Sequence, residues 1–324
     1  MSNPRRIILT RKGCDSGKSS GGMASPILPC GCLCSVPIPY PKGGIPYSEV
    51  RFGRRSLQDI CIELNGEWQA DSKAHLDPDL RENALANRPS GWSPAFGQTG
   101  IAERHLFKQG VSKGDLFIFF GWFRETEMIQ GRLQFSEKDT NGRHIIYGWL
   151  TVEDVFEVGK QELATHLQFL AEHAHTKFVK TEPNRIYIGS KGGAGVFPKL
   201  APELVLTKPG CEKRSIWKLP PAFGSVYERP MLTYHKNKEK RWYKENDDIC
   251  LKTVGRGQEF VLDCEEHPAV RDHFLNLIES NREVSGCPHG FPPQARILGS
   301  AKGEFTVPDD FNDPSPEIED LFYK

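Results

Sequence analysis

The chain has 324 residues, 38% of them apolar and 26% charged, with 42 basic against 42 acidic side chains. That length can bury a sizeable core, as one large domain or two modest ones, and no run of about 18 apolar residues exists to build a membrane-spanning helix. A formal charge of zero argues against strong unaided grip on nucleic acid, which calls for a basic excess.

The first six residues are basic but lack the apolar stretch of a signal peptide, so the cytoplasm is the expected setting. A short apolar strand from Arg6 to Thr10 leads into a glycine- and serine-rich loop carrying Asp15, Ser16 and, further on, Ser25. Prolines at 26, 29, 37 and 39 fix φ along the exit and discourage helix. The loop is not a phosphate-binding P-loop. Only three residues separate Gly13 from Gly17 where that motif needs four, and Gly21, Gly22 and Pro26 forbid the helix that should follow. Nine cysteines, six of them scattered, suit reduced thiols better than a disulfide framework. Cys30, Cys32 and Cys34 alternate and would share one side of an extended segment, but their spacing is not that of a zinc site.

Ser56 caps a short helix whose stripe is Leu57, Ile60, Cys61 and Leu64, ending at Asn65-Gly66. A polar loop with His75, Asp77 and Asp79 follows. Thr99 is the expected N-cap of a helix over 101–108. Residues 113–124 form a strand too apolar for a wet face, so it is central. A second aromatic strand over 144–155 is its expected antiparallel partner, with a polar excursion over 125–142 between them. Leu163, Leu167 and Leu170 mark a helix ending near Glu172, just before His173 and His175. Strands are expected over 186–189 and 203–207, with a flexible glycine turn over 192–195, and a glycine turn at 255–257 enters another strand. Pro268 at the first position of a final helix puts Val270, Phe274 and Leu277 on its buried side. The fold class is α+β, a mostly antiparallel central sheet or partly closed barrel with short flanking helices. It spans a single domain over 1–285, followed over 286–324 by an extension with an acidic tail. A basic run over 235–244, with two aromatics, reads either as a phosphate-contacting face or as a solvated loop.

Several strings, in order, resemble one family. They are the Asp15-Ser16 loop with Ser25-Pro26-Ile27, then Ser35-Val36-Pro37-Ile38-Pro39, the run from His75 to Asp79, and Ala95-Phe96-Gly97-Gln98. The apolar strand from Gly114 to Phe123, His173-Ala174-His175, Leu206-Thr207, Trp217 to Pro220 and the stretch from Gly257 to Val261 continue the series. Together they resemble the bacterial and phage proteins called nucleotide modification associated domain, type three, across roughly residues 6 to 280. The resemblance implies an α+β fold and a theme, DNA base or nucleotide modification, without a defined reaction. Two departures stand out. Cys30 to Cys34 replaces the family's small-residue turn, and the usual His-Pro-His string reads His173-Ala174-His175. A weaker likeness is to PUA-like barrels that hold a modified base.

Asp15 is the first catalytic candidate, as general base, nucleophile or ribose anchor, against an Asx turn. His75, Asp77 and Asp79 would share a face if extended, able to hold a divalent ion or form a His–carboxylate pair, against a capped turn around Pro78. His173 and His175 follow a helix end and could carry proton transfer or ligate metal, against a structural role. Gln98, Gln258 and Glu259 could read a base edge or serve as capping and strand-edge residues. Trp122, Trp149, Trp217 and Phe260 could stack a base, although Trp122 and Trp149 read mainly as core. The expectation is acid–base work by Asp15, His173 and His175. Substrate placement falls to Ser16, Ser25, His75, Asp77, Asp79, Gln98, Gln258 and Glu259. No cofactor is identified and no resident metal is assigned. The expected partner is a nucleotide or nucleic acid, with proteins of a modification system also possible. The alternatives are a non-catalytic reader of a modified base and a structural partner in a modification or defence complex.

Overall fold

A computed structural model of the protein describes residues 3–41, 43–65, 68, 72–160, 162–177, 182–228, 239–253 and 259–282. The strands longer than two residues are, in chain order, β1 (Arg6–Arg11), β2 (Ser25–Ile27), β3 (Ala95–Thr99), β4 (Leu116–Ile129), β5 (Arg132–Phe135), β6 (Arg143–Glu157) and β7 (Asn184–Val196). Then come β8 (Ile216–Leu219), β9 (Trp242–Glu245), β10 (Asp248–Lys252) and β11 (Glu259–Asp263). The longer helices are α1 (Leu57–Leu64), α2 (Gly100–Lys108) and α3 (Pro268–Asn281). The main sheet has eight strands in the order β11-β1-β4-β6-β7-β3, with β2 and β5 also paired to β4. It curls into a half-barrel with short flanking helices, and the fold is α+β. Most neighbours are antiparallel; β1 and β2 run parallel to β4.

The central pair forms as its composition demands. Leu116 to Phe120 are all buried, and β4 pairs antiparallel with β6 in a register that places Phe120 opposite Ile146. The region between them is more regular than the expected polar excursion. β4 runs on to Ile129 and turns back through Gln130 and Gly131, both at positive φ, into β5. Nor is 192–195 a flexible turn: Ala194 and Gly195 continue β7 opposite Leu150 and Trp149. A Cβ on Gly195 would lie 2.7 Å from the Trp149 ring, so this glycine admits the indole. The strand expected over 203–207 is a 3₁₀ turn at Pro202–Leu204 followed by single bridges from Val205 to Ile145 and Thr207 to Trp217. Of the leucine stripe before His173, Leu167 and Leu170 lie in a 3₁₀ segment, Thr165–Glu172, rather than an α-helix, and Leu163 precedes it.

Helix ends follow their sequence signals in two of three cases. Ser56 caps α1 in a reciprocal capping box with Asp59. Pro268 opens α3, whose buried face includes Val270, Phe274 and Leu277. Thr99 occupies the cap position of α2 without a side-chain hydrogen bond. Trp149, Trp217 and Phe260 are buried core residues. Cys32, one of the three alternating cysteines, is disulfide-bonded, whereas the scattered Cys14, Cys61, Cys211, Cys250 and Cys264, with Cys34, are free. The extension over 286–324, Gln258 and the first part of the basic run lie outside the described residues.

The curl has a direct signature. β3 and β11 are opposite ends of the strand order, yet Gln98 Nε2 on β3 donates to Glu259 Oε1 on β11 at 2.8 Å. Thr10 on β1 reaches the same oxygen at 3.4 Å. Phe96, Phe117, Phe119 and Tyr187 pack against one another inside this near-closed wall.

Candidate functional site

The strongest cluster of chemistry lies at the start of β3. Two segments about a hundred residues apart deliver it. The first is the stretch around His75, held beside Ile38, whose carbonyl accepts the His75 N–H at 2.9 Å. The second is the 3₁₀ turn Ala174–Lys177, which presents His175 over Gly97. A Cβ on Gly97 would sit 2.2 Å from His175 Cγ, so only glycine lets the ring lie there.

Asp77 is the hub. Its Oδ1 accepts the Gly97 N–H at 2.7 Å and lies 3.7 Å from His173 Nε2. Its Oδ2 faces His175 Nε2 at 3.5 Å and His75 Nε2 at 3.8 Å. All four side chains are nearly or wholly buried. Burial alone would push the Asp77 carboxyl up, but the hydrogen bond from His175 and the three imidazoles outweigh it and hold the group below the ordinary carboxylate range. Burial depresses His75 to about 4 and His173 to about 3, with Asp77 opposing the shift in both. At neutral pH the hub is therefore a carboxylate facing neutral His75 and His173.

Hydrogen bonds from outside fix the tautomers. Asn184 Nδ2 donates to the His175 carbonyl at 2.9 Å, which orients the amide and leaves its Oδ1 against His175 Nδ1 at 3.1 Å. His175 therefore carries a proton on Nδ1 and turns Nε2 toward Asp77. His173 is set the other way. Its Nδ1 accepts the His175 N–H at 3.2 Å, so the neutral ring holds its proton on Nε2, aimed at Asp77 Oδ1. His75, Asp77 and His175 offer ligand atoms that all lie within 4.8 Å of one another, a grouping able to hold a metal ion. Small cavities of about 30 and 40 Å³ adjoin the cluster, one bordered by His173 and Trp92, the other by Asp77, Gly13, Ser35 and Tyr147.

Asp79 does not share this face. The Asp77 N–H bonds the His75 carbonyl, which turns the chain, and Asp79 then bridges to Ala95. Its carboxylate is gripped by Arg88 through both oxygens, at 2.5 and 2.7 Å, and by Trp92 Nε1 at 3.1 Å. That is a saturated structural ion pair.

Asp15 sits elsewhere. Its ion pairs are with Arg11 and, at 3.5 Å, Arg214, and its Oδ1 accepts the Ser16 N–H at 2.8 Å. Among the described residues no ion pair or hydrogen bond joins it to His173 or His175, so the expected Asp15–His173–His175 grouping is not assembled. Ser16 Oγ accepts from Arg214 at 3.1 Å, and Arg214 lies over the part-exposed Trp122 ring at 4.2 Å. Ser25 is buried, its Oγ accepting the Val36 N–H at 3.0 Å. Gln98 and Glu259 engage each other across the sheet edges.

Reading the sequence alone misses Asn184, Gly97, Arg88 and Glu103. Glu103 on α2 is wholly buried, accepts the Tyr187 hydroxyl at 2.9 Å, and is pushed up to about 8 chiefly by burial, against the pull of Tyr187 and Arg185. A glutamate in the first turn of a short helix gives no signal of this. Gly97, by contrast, lies inside one of the family-like strings.

No curated protein and no solved structure matches the chain. The sequence model of the family described as Nucleotide modification associated domain 3 matches residues 6–263. That span contains β1 through β11 and every residue of the Asp77 cluster, and by it the chain belongs to the nucleotide modification associated domain 3 family.

Proposed function

We propose that the protein modifies a nucleotide or a nucleic-acid base at the Asp77 cluster. The observation that carries this is the convergence of His75, His173 and His175 on one buried carboxylate. A hub of this kind is costly to bury and gives the fold nothing that an apolar contact would not give more cheaply. The carboxylate partner of His173 and His175 is then Asp77 rather than Asp15. His173, with its proton on Nε2, is placed to aim that N–H at the carboxylate, and the Asp77–His175 Nε2 pair is placed to take and return a proton. The Asp15 loop, with Ser16, Arg11, Arg214 and the Trp122 face, is assigned to holding an anionic or aromatic part of the substrate. The domain proposed to do this spans 1–285, and the proposed setting is the cytoplasm of a bacterial or phage-infected cell. The free thiols of most described cysteines support that setting.

The test is mass spectrometry of nucleosides from DNA and RNA of cells expressing wild type, Asp77→Asn or Asp15→Asn, with the native neighbouring genes present. A modified nucleoside that depends on Asp77 establishes catalysis and identifies its product. Identical profiles for wild type and Asp77→Asn would overturn catalysis and leave recognition of a modified base by the half-barrel as the reading to pursue.

A further inference from the structure

We infer that His75, Asp77 and His175 form a binding site for one divalent first-row transition-metal ion, of the zinc(II) or iron(II) kind, with His173 outside the coordination sphere. The proposal takes its location from the cluster read above as the functional centre, but its support is geometric and independent of any reaction.

Three features carry it. First, the three candidate donors are Asp77 Oδ2 and the Nε2 atoms of two histidines, and the carboxylate–imidazole separations are 3.5 and 3.8 Å. An ion with bonds of about 2.1 Å in tetrahedral geometry holds its donors about 3.4 Å apart, so those two edges need only a small contraction. Second, the outer bonds at His175 and Asp77 match what a metal-binding histidine and carboxylate require. Asn184 fixes the Nδ1 proton of His175, and the Gly97 N–H occupies Asp77 Oδ1, leaving Oδ2 for the ion. A nitrogen so oriented, facing an ionised carboxylate oxygen, must share a cation with it, either a proton or a metal. Third, His173 differs from the other two. Its Nε2 is buried without a hydrogen-bond partner and its Nδ1 accepts from the backbone, so the proton on Nε2 bars it from coordination and directs it to Asp77 Oδ1.

The donor set also selects the ion. Two imidazoles and one carboxylate suit zinc or iron, whereas magnesium and calcium prefer oxygen ligands alone. Three protein donors leave at least one position for water or substrate, as in catalytic rather than structural sites. The alternating cysteines are not part of this site: Cys30 is exposed and Cys32 is in a disulfide.

The experiment uses full-length protein stripped with a chelator and titrated with cobalt(II), whose visible absorption reports coordination, followed by displacement with zinc(II). One equivalent per chain is expected. Asp77→Asn and His175→Gln should weaken binding by about 100-fold or more, and Asn184→Leu by about 10- to 100-fold. His173→Gln and Asp15→Asn should keep full stoichiometry. Absence of cobalt and zinc binding by the wild type, or equal binding by a folded Asp77→Asn, overturns the proposal. Should those variants fail to fold, X-ray absorption on cobalt-loaded wild type decides. Two-imidazole scattering with an oxygen and nitrogen shell supports the site, and a sulfur shell overturns it. Metal binding without any modified nucleoside would leave this inference standing while the proposed function fell.

Discussion

Asp77 and Asp79 stand two residues apart, are about equally buried, and meet opposite fates. Asp79 is closed off: a guanidinium takes both oxygens and an indole N–H adds a third bond. Asp77 gets one backbone N–H and three imidazoles at 3.5 to 3.8 Å, too far for short hydrogen bonds and close enough to exchange a small cation. Structural carboxylates are saturated by donors that cannot let go. Working ones are surrounded by groups that can change protonation or ligation.

That contrast can be broken from either side. The largest effect is expected from Arg88→Leu, which strands Asp79 in the interior and should cost about 3–5 kcal/mol in urea unfolding. Asp77→Asn, which keeps an acceptor for Gly97, should cost less than about 2 kcal/mol while abolishing the modified product. Equal costs for the two would erase the distinction.

Lowering the pH should sharpen it. His75 and His173 titrate in the fold at about 4 and about 3, below the ordinary histidine value of 6.5. The unfolded chain thus takes up protons that the folded hub refuses. Their contribution is complete above the unfolded value and is lost as pH falls from there through the folded values. Between pH 7 and 5 the loss should be about 2 kcal/mol for each imidazole, and His75→Gln should remove one share of it in unfolding measured at both pH values.

Gly97→Ala attacks the hub without removing any of its side chains. The new methyl would meet the His175 ring, so a destabilisation of about 1–3 kcal/mol is expected, with loss of cobalt absorption in the same sample. A folded Gly97→Ala protein with wild-type cobalt spectra would show that the ring's position is not needed.

Glu103 provides the smallest effect and the opposite sign. Its value is raised to about 8, so the stability it lends is present at acid pH and drains away as pH rises through 8. Glu103→Gln mimics the protonated form and should change stability by less than about 1 kcal/mol at pH 4 while removing the fall in thermal stability between the ordinary glutamate value of 4.5 and pH 8.

Much of this was legible beforehand, and the reason differs by element. The strands around Phe117–Phe120 and Ile145–Trp149 announce themselves by unbroken apolar runs, and the α1 capping box by Ser56 and Asp59, because these are local signals. His75, Asp77, His173 and His175 could each be picked out as polar residues in ordered strings, but not their convergence, which depends on contacts across about a hundred residues. Strict alternation groups Asp79 with Asp77, and the hydrogen bond from Asp77 N–H to the His75 carbonyl breaks that alternation. Asp15 stood out for its glycine-rich setting, and two arginines absorb its charge instead. Asn184 gives no sign at all, since its role exists only once His175 is in place.

The Gln98–Glu259 contact has a consequence for life in a crowded cell. β3 and β11 end the strand order of the main sheet, where a stray chain could copy outer backbone groups, and residues 95–98 and 259–262 on them are all buried. By curling until its own margins touch, the sheet hides the templates on which intermolecular strand growth, and hence aggregation, would begin.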